Sequence, residues 1–239
     1  MKNWIFVFTL LLSACASSPF SGPDPFEHTE LILDAEEALG GLIRASGIPK
    51  KLLEHTKAIV VFPNLMKAAM IAGARVGKGV VIVRSPKTGK WNPPAFIKSR
   101  QASWGIQAGI QKAELVLLVV TNKGLRQLFK TRFDLGKGPQ IALGPVGRTM
   151  DLNLALNKND IFAYSRIKGL FAGLSFEGTV ITSDKNANYE YYQQSVSNRN
   201  LLMGHEGIKV PSSGRAFLQR MNKIAGATGR GANQQYLSG

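Results

Sequence analysis

Between residues 58 and 120 the chain returns repeatedly to short runs rich in β-branched residues. They are AIVVF (58–62), GVVIVR (79–84), AFIKS (95–99), GIQAGI (105–110) and ELVLLVV (114–120), and GTVITS (178–183) follows further on. Runs of this length bounded by turn-forming residues read as strands. SPKTGK (85–90) is suited to joining two antiparallel strands. Gly105, Gly109, Gly144, Gly147, Gly173 and Gly178 fall inside or beside such patterns. A glycine there fits tight curvature or close stacking, where a side chain would collide. No long βαβ alternation is present. The constraint points to an α+β fold: a mostly antiparallel, strongly curved or barrel-like sheet of short Gly-rich strands, with an N-terminal helix and a few short helices.

The helical signals are few. From Glu27 to Ser46 the apolar positions recur near helical period and the acids fall on the other face, with Gly47 and Pro49 ending the pattern. Pro49 to His55 adds a short helical turn. Asn122 to Thr131 predicts a short helix capped by Asn122. Residues 213–226 place Phe217, Met221 and Ile224 on one stripe, with Arg215, Arg220 and Lys223 elsewhere. Such a basic amphipathic helix suits either a membrane surface or ordinary packing.

The first residues, MKNWIFVFTLLLSAC, carry one base and then nine apolar-rich residues, Trp4 to Leu12. A spanning helix needs about 20, so the segment reads as an export signal. Leu12-Ser13-Ala14-Cys15 resembles the bacterial lipobox, which implies cleavage before Cys15 and acylation of its sulfur and new amine. Cys15 is the chain's one cysteine, so no intrachain disulfide can form. Ala16 after it, by resemblance to sorted lipoproteins, implies the outer membrane with the domain facing the periplasm. The resulting organisation is a signal peptide (1–14), an acylated Cys15 with a Pro-rich tether (15–26), a domain (27–195) and a basic, partly disordered C-terminal extension (196–239).

Cleavage would leave 29 Lys and Arg against 15 Asp and Glu. The charge is uneven: residues 24–37 hold six acids and no Lys or Arg, while between Glu54 and Glu114 there are ten bases and no acid. This asymmetry fits an anionic partner, or an acidic helix docked on a basic body. Nucleic acid would match the sign of the charge, but an envelope location speaks against it as partner.

Several chemistries are disfavoured. GARVGKG (73–79) leads into a strand, whereas a dinucleotide fold needs a helix there, so Tyr164 and Lys168 lack the companion motif of a dehydrogenase. Asp184, Asn186, Asn188 and Glu190 alternate as in calcium loops but lack the glycine and the final acid. His28, His55 and His205 stand singly with no cysteine to complete a zinc set, and no Ser sits in a nucleophile elbow. The expectation is no cofactor, no metal and no catalytic residue.

Motifs in order over residues 48–193 carry a resemblance: IPKKLLEHTKAIVVFPNLMKA (48–68), GKGVVIVR (77–84), WNPPAF (91–96), WGIQAGIQ (104–111), ELVLLVVTNKGLRQLF (114–129), GPVGR (144–148), YSRIKGLFAGLSFEGTVI (164–181) and NANYEYY (186–192). The chain resembles the SYLF-domain family. The resemblance implies one non-enzymatic domain that binds lipids, anionic ones and phosphoinositides in eukaryotic members, some of which bind actin. Lipid binding in those members is attributed to a basic N-terminal helix; the equivalent helix here is acidic. Ala74 and Gln101-Ala102 also stand where the family usually has glycine. The expected partner is an anionic phospholipid or other anionic envelope lipid, or an acyl ligand; the alternative is an interaction protein with a protein or anionic glycan partner.

Candidate lipid-binding residues follow. Lys67, Arg75, Lys78 and Arg84 lie in and around GARVGKG, read as a turn whose backbone N–H groups approach an anion. Arg166 and Lys168 sit where the motif is densest, and Arg166 serves equally as a buried ion-pair partner, for instance to Glu177. Arg215, Arg220 and Lys223 belong to the C-terminal helix. Phe96, Trp104, Phe162, Phe171 and Phe176 read as core or as an acyl-chain lining.

Overall fold

Alternation along the β-branched runs sends successive side chains to opposite faces, and both faces of this sheet find cover. A computed structural model describes residues 25–46, 48–69, 72–104, 109–144, 152–167, 170–171 and 178–224. Cys15, Lys168, Phe176 and Glu177 lie outside the described residues, as does the chain beyond 224. The side chains of Lys67, Trp104 and Phe171 likewise lie outside what the structure describes.

The elements in order are α1 (Pro25–Ser46), α2 (Lys50–His55), β1 (Ala58–Ala69), β2 (Ala72–Val83), β3 (Ala95–Trp104), β4 (Gly109–Val119), α3 (Asn122–Leu128), β5 (Arg132–Asp134), β6 (Ile141–Leu143), α4 (Leu152–Lys158), β7 (Ile161–Ile167), β8 (Leu170–Phe171), β9 (Thr179–Ser183), α5 (Lys185–Tyr192), α6 (Asn198–Met203) and α7 (Ser212–Ile224). The strands form one strongly curved half-barrel sheet in the order β5-β9-β3-β2-β1-β4-β7-β6, with β8 paired to β7. All pairings are antiparallel except β6 with β7. The α+β expectation holds.

Strands β1, β2 and β3 are longer than the β-branched runs within them. GARVGKG is not a turn: it is the first half of β2, with Gly77 opposite Ser99 and Gly79 opposite Ile97 on β3. The reason is a bulge in β1. Its register slips by one residue between Phe62 and Leu65 against β4, at Pro63-Asn64. Proline cannot donate to a ladder, so in a central strand it belongs at a bulge. The bulged segment leans across β2. A Cβ on Gly79 would lie 2.5 Å from Phe62 Cδ1 and from the Val61 carbonyl oxygen, and one on Gly77 would lie 2.6 Å from Leu65 Cδ2. These glycines make room for β1 rather than for a ligand.

One face of the sheet carries α1, α5 and α7; α6 lies with α3 on the other, where Asn198 lines a small gap with Leu128 and Phe133 and Arg199 stands over the Phe129 ring. Phe96 on the α1 face meets His28 of α1 and Tyr191 of α5 at ring-centroid distances of 5.3 and 5.0 Å. Ile32, Leu39 and Leu42 of α1 and Phe217 and Met221 of α7 are fully buried in the same core as Val61, Ile82 and Phe162. Leu201 and Leu202 of α6 are fully buried too, so residues 196–224 belong to the core and the boundary placed at 195 is not a structural one. On the opposite face Val81, Ile97 and Ile181 pack with Leu128 and Phe133, leaving a gap only the size of a water molecule. Phe96 and Phe162 are core residues.

Helix α3 is capped by Thr121, not Asn122. Thr121 is extended, and its Oγ1 accepts from the Gly124 N–H at 3.1 Å. The same hydroxyl donates to Asp160 Oδ1, tying the helix start to the entry of β7. Asn122 instead accepts from Lys57 Nζ at 2.9 Å.

Candidate functional site

Strand alternation splits the cations grouped in the sequence. Arg75, the register partner of Lys67 on β1 and of Gln101 on β3, has its side chain on the face opposite α1. Lys78, an odd number of residues from Arg75, points to the helix-bearing face and is paired there with Glu27 of α1. Arg84 is on neither surface. It is 8% exposed, donates to the carbonyl oxygens of Thr56, Gly89 and Leu53, and lies 4.3 Å over the Trp91 ring. Burial pushes its pKa down, and the three carbonyls and the ring answer that cost. Arg84 is therefore a strut between α2 and the 85–90 loop, not a head-group ligand.

Arg166 is also structural. It faces Glu114 across β7 and β4 and donates to both carboxylate oxygens at 2.8 Å. That fork pairing raises its pKa. Gly41 of α1 lies over the guanidinium; a Cβ there would stand 3.1 Å from one terminal nitrogen. Among the described residues the partner is Glu114, found by register and not by proximity in sequence; Glu177 lies outside them.

The C-terminal helix spends its apolar stripe inward: Phe217 and Met221 are buried. Arg220 Nε meets Glu36 Oε1 of α1 at 2.5 Å, Arg215 donates to the Val210 carbonyl, and Lys223 is exposed. This is a packing helix. With Lys78–Glu27 and Asn64 donating to Asp34 Oδ2, it shows the acidic α1 lying on a basic body. The calcium-like series disperses likewise. Asp184 caps α5, Asn188 bonds the Phe96 backbone, and Glu190 pairs with the buried His28 at 2.8 Å. Among the described residues no cluster of His, Cys, Asp and Glu could hold a metal ion.

Helix α1 crosses the sheet from Lys78 past Asn64 to Arg166, and among the described residues an exposed row lies beside it. There Lys112, Met66, Val76 and Arg100 form a single row across β4, β1, β2 and β3. Met66 and Val76 are 43% and 47% exposed, and both flanking cations are exposed. Lys78 and its β3 partner Lys98 form the next pair in; Lys98 also reaches Asp184 Oδ1 at 3.0 Å. The result is two exposed apolar side chains bracketed by cations. Arg100 and Lys112 had no motif around them; the signal was that each sits an even number of residues from its neighbours' matching positions, legible only with the register known. Lys57 was likewise unremarked: burial lowers its pKa to about 8.

A family profile described as Ysc84, Las17-binding protein actin regulator, matches residues 100–224. The chain belongs to the Ysc84, or SYLF-domain, family. The match starts at Arg100 in β3 and ends with α7, so a Ysc84-type core includes the C-terminal helices. SH3 domain-containing YSC84-like protein 1 of Homo sapiens is 31% identical over 159 residues, 66% of this chain and 46% of that protein. The Mus musculus protein of the same name is 31% identical over 179 residues, 74% of this chain and 52% of its own length. Protein YSC84 of Saccharomyces cerevisiae is 29% identical over 183 residues, 74% of this chain and 38% of that protein. The chain thus spans about half the length of its mammalian relatives and less of the yeast one.

Proposed function

We propose that this protein is a lipid-anchored, non-enzymatic envelope protein whose SYLF domain docks on an anionic lipid surface. The observation that carries the reading is the exposed row Lys112–Met66–Val76–Arg100 with Lys78 beside it. Apolar side chains enter the head-group region while each nearby Lys or Arg contributes about 1 kcal/mol toward an anionic leaflet. The path of the chain supports the same orientation. Lys78 pairs with Glu27 at the start of α1, so the segment leading from Cys15 enters the fold beside this row. Ten residues separate Cys15 from Pro25 and reach at most about 35 Å, which keeps the domain against the leaflet that holds its anchor.

Relatives named for binding a protein, such as LAS seventeen-binding protein 3 of Saccharomyces cerevisiae, favour a second reading. In it, the same exposed Met66 and Val76 receive a protein partner. Flotation of residues 16–239, which keep every described element, separates the two. The expected result is flotation with anionic vesicles at low salt, weakened at physiological salt, and none with neutral vesicles. No flotation under any condition would leave the acyl group as the membrane contact and favour the protein partner.

A further inference from the structure

The outer face of α1 carries the pattern of the exposed sheet row with its charges reversed. Ile32, Ala35, Leu39 and Leu42 of α1 point into the core, while Glu27 and Glu36 on its flanks pair with Lys78 and Arg220. Residues three and four apart share a helix face, so Glu30, Leu33 and Glu37 form one line on the side away from the sheet. Glu30 and Glu37 are exposed, and Leu33 between them is 49% exposed. A leucine at the centre of an outer face gains nothing from its own core. The line reads acid, apolar, acid; the row reads cation, apolar, apolar, cation (Lys112, Met66, Val76, Arg100).

The lengths correspond. At about 4.8 Å a strand, Lys112 and Arg100 stand roughly 14 Å apart. At about 1.5 Å a residue, Glu30 and Glu37 stand roughly 10.5 Å apart, and four long side chains close the difference. The positions correspond too. Lys78 and Asn64 reach acids of α1, and Glu114 holds the Arg166 that lies under Gly41. These three sit two residues along their strands from Val76, Met66 and Lys112. The row therefore runs about 7 Å outside the contacts of α1. Packed helices lie about 8–10 Å apart, so the row is where a second helix beside α1 would rest.

We infer that the occupant is α1 of a second copy, in a two-fold dimer whose two α1 helices lie side by side and parallel between the two sheets. Each helix keeps its inner face on its own sheet and sets its outer face on the row of the other copy. A two-fold axis along the helices makes every contact occur twice. Since α1 runs from Lys78 on β2 toward Arg166 on β7, this arrangement brings Glu30 to Arg100, Leu33 to Met66 and Val76, and Glu37 to Lys112. The contact uses the row assigned above to membrane docking without resting on that assignment. A row that holds a second copy is closed to a leaflet, so the dimer is the form off the membrane.

Sedimentation velocity on residues 16–239, from micromolar to millimolar concentration, tests the dimer. The wild type is expected to pass from monomer to dimer, less readily at high salt. Glu30→Arg sets Arg against Arg in both contacts, and Arg100→Glu sets Glu against Glu. Each variant alone should dimerise at least about tenfold more weakly. Mixed in equal amounts, the two should dimerise with near wild-type affinity, because both contacts then join Glu to Arg. That rescue would also show that both variants fold. A wild type that stays monomeric at the highest concentration, or single variants that dimerise like the wild type, would overturn the dimer, as would a mixture that fails to rescue. Flotation by a protein that never dimerises would leave membrane docking standing without the dimer; dimerisation without flotation would do the reverse.

Discussion

At the scale of single residues, glycine is the most consequential choice in this chain. Gly79 and Gly77 alternate with Lys78, so both present the same face of β2 to the bulged part of β1. At Gly79 the obstacle to a methyl group is partly backbone, the Val61 carbonyl at 2.5 Å. At Gly77 the nearest obstacle is the end of the Leu65 side chain, which can turn aside, with the Asn64 carbonyl at 3.1 Å. Gly79→Ala should therefore destabilise by about 1–3 kcal/mol, as overpacking in a filled core does, and by more than Gly77→Ala. Urea unfolding of the two variants checks the order; equal midpoints would mean that β1 does not hold its position over β2. This residue-scale geometry was half legible. Glycines spaced two apart signal a common strand face, but three within seven residues also signal a loop, and local sequence does not separate the two. The deciding fact is Pro63, sixteen residues earlier and on the neighbouring strand.

At the scale of elements, amphipathic pattern marked α1, α2, α3 and α7 but not α4, α5 and α6, and an acidic helix on a basic body was one of two readings the charge allowed. Neither foretold which face of a basic helix turns inward. Helix α7 shows why: its stripe of Phe217 and Met221 would serve a bilayer or a core equally, and what decides is the matching apolar face of α1. The ion pair Arg220–Glu36 is partly exposed, and such pairs contribute at most about 1 kcal/mol. Phe217, at 1% exposure, should dominate. Phe217→Ala is expected to destabilise by about 3–5 kcal/mol, and Lys223→Glu by less than about 0.5 kcal/mol. Measured denaturant midpoints check the ratio. Comparable effects of the two changes would mean that α7 is held by charge and is free to leave the core for another surface. The capping of α3 by Thr121 belongs here too. Two adjacent cap-forming residues compete, and Asp160, 39 residues away, selects between them.

At the scale of the whole molecule, sheet order decides what the sequence cannot assemble. β1 lies beside β4 as well as β2, and β9 beside β3, so residues far apart in the chain meet in rows. The Lys112–Met66–Val76–Arg100 row exists only because of that order. A large positive charge, by contrast, was legible from composition, and a charge of this size attracts anionic surfaces from any direction. The two effects make different predictions. Lys87 and Lys90 are exposed in the loop after β2. Nine residues of strand from Val76 to Ser85 span roughly 30 Å, well beyond the Debye length of about 10 Å at 0.1 M salt. Reversing Arg100 and Lys112 to Glu, or Lys87 and Lys90 to Glu, changes net charge equally. If the row meets the membrane, the first pair should lower partitioning onto anionic vesicles more than tenfold, since each cation near the surface is worth about 1 kcal/mol and reversal turns attraction into repulsion. The second pair should change it less than threefold at physiological salt. Equal losses would mean that the domain is drawn by its overall field with no preferred face, and that the exposed Met66 and Val76 serve something other than lipid.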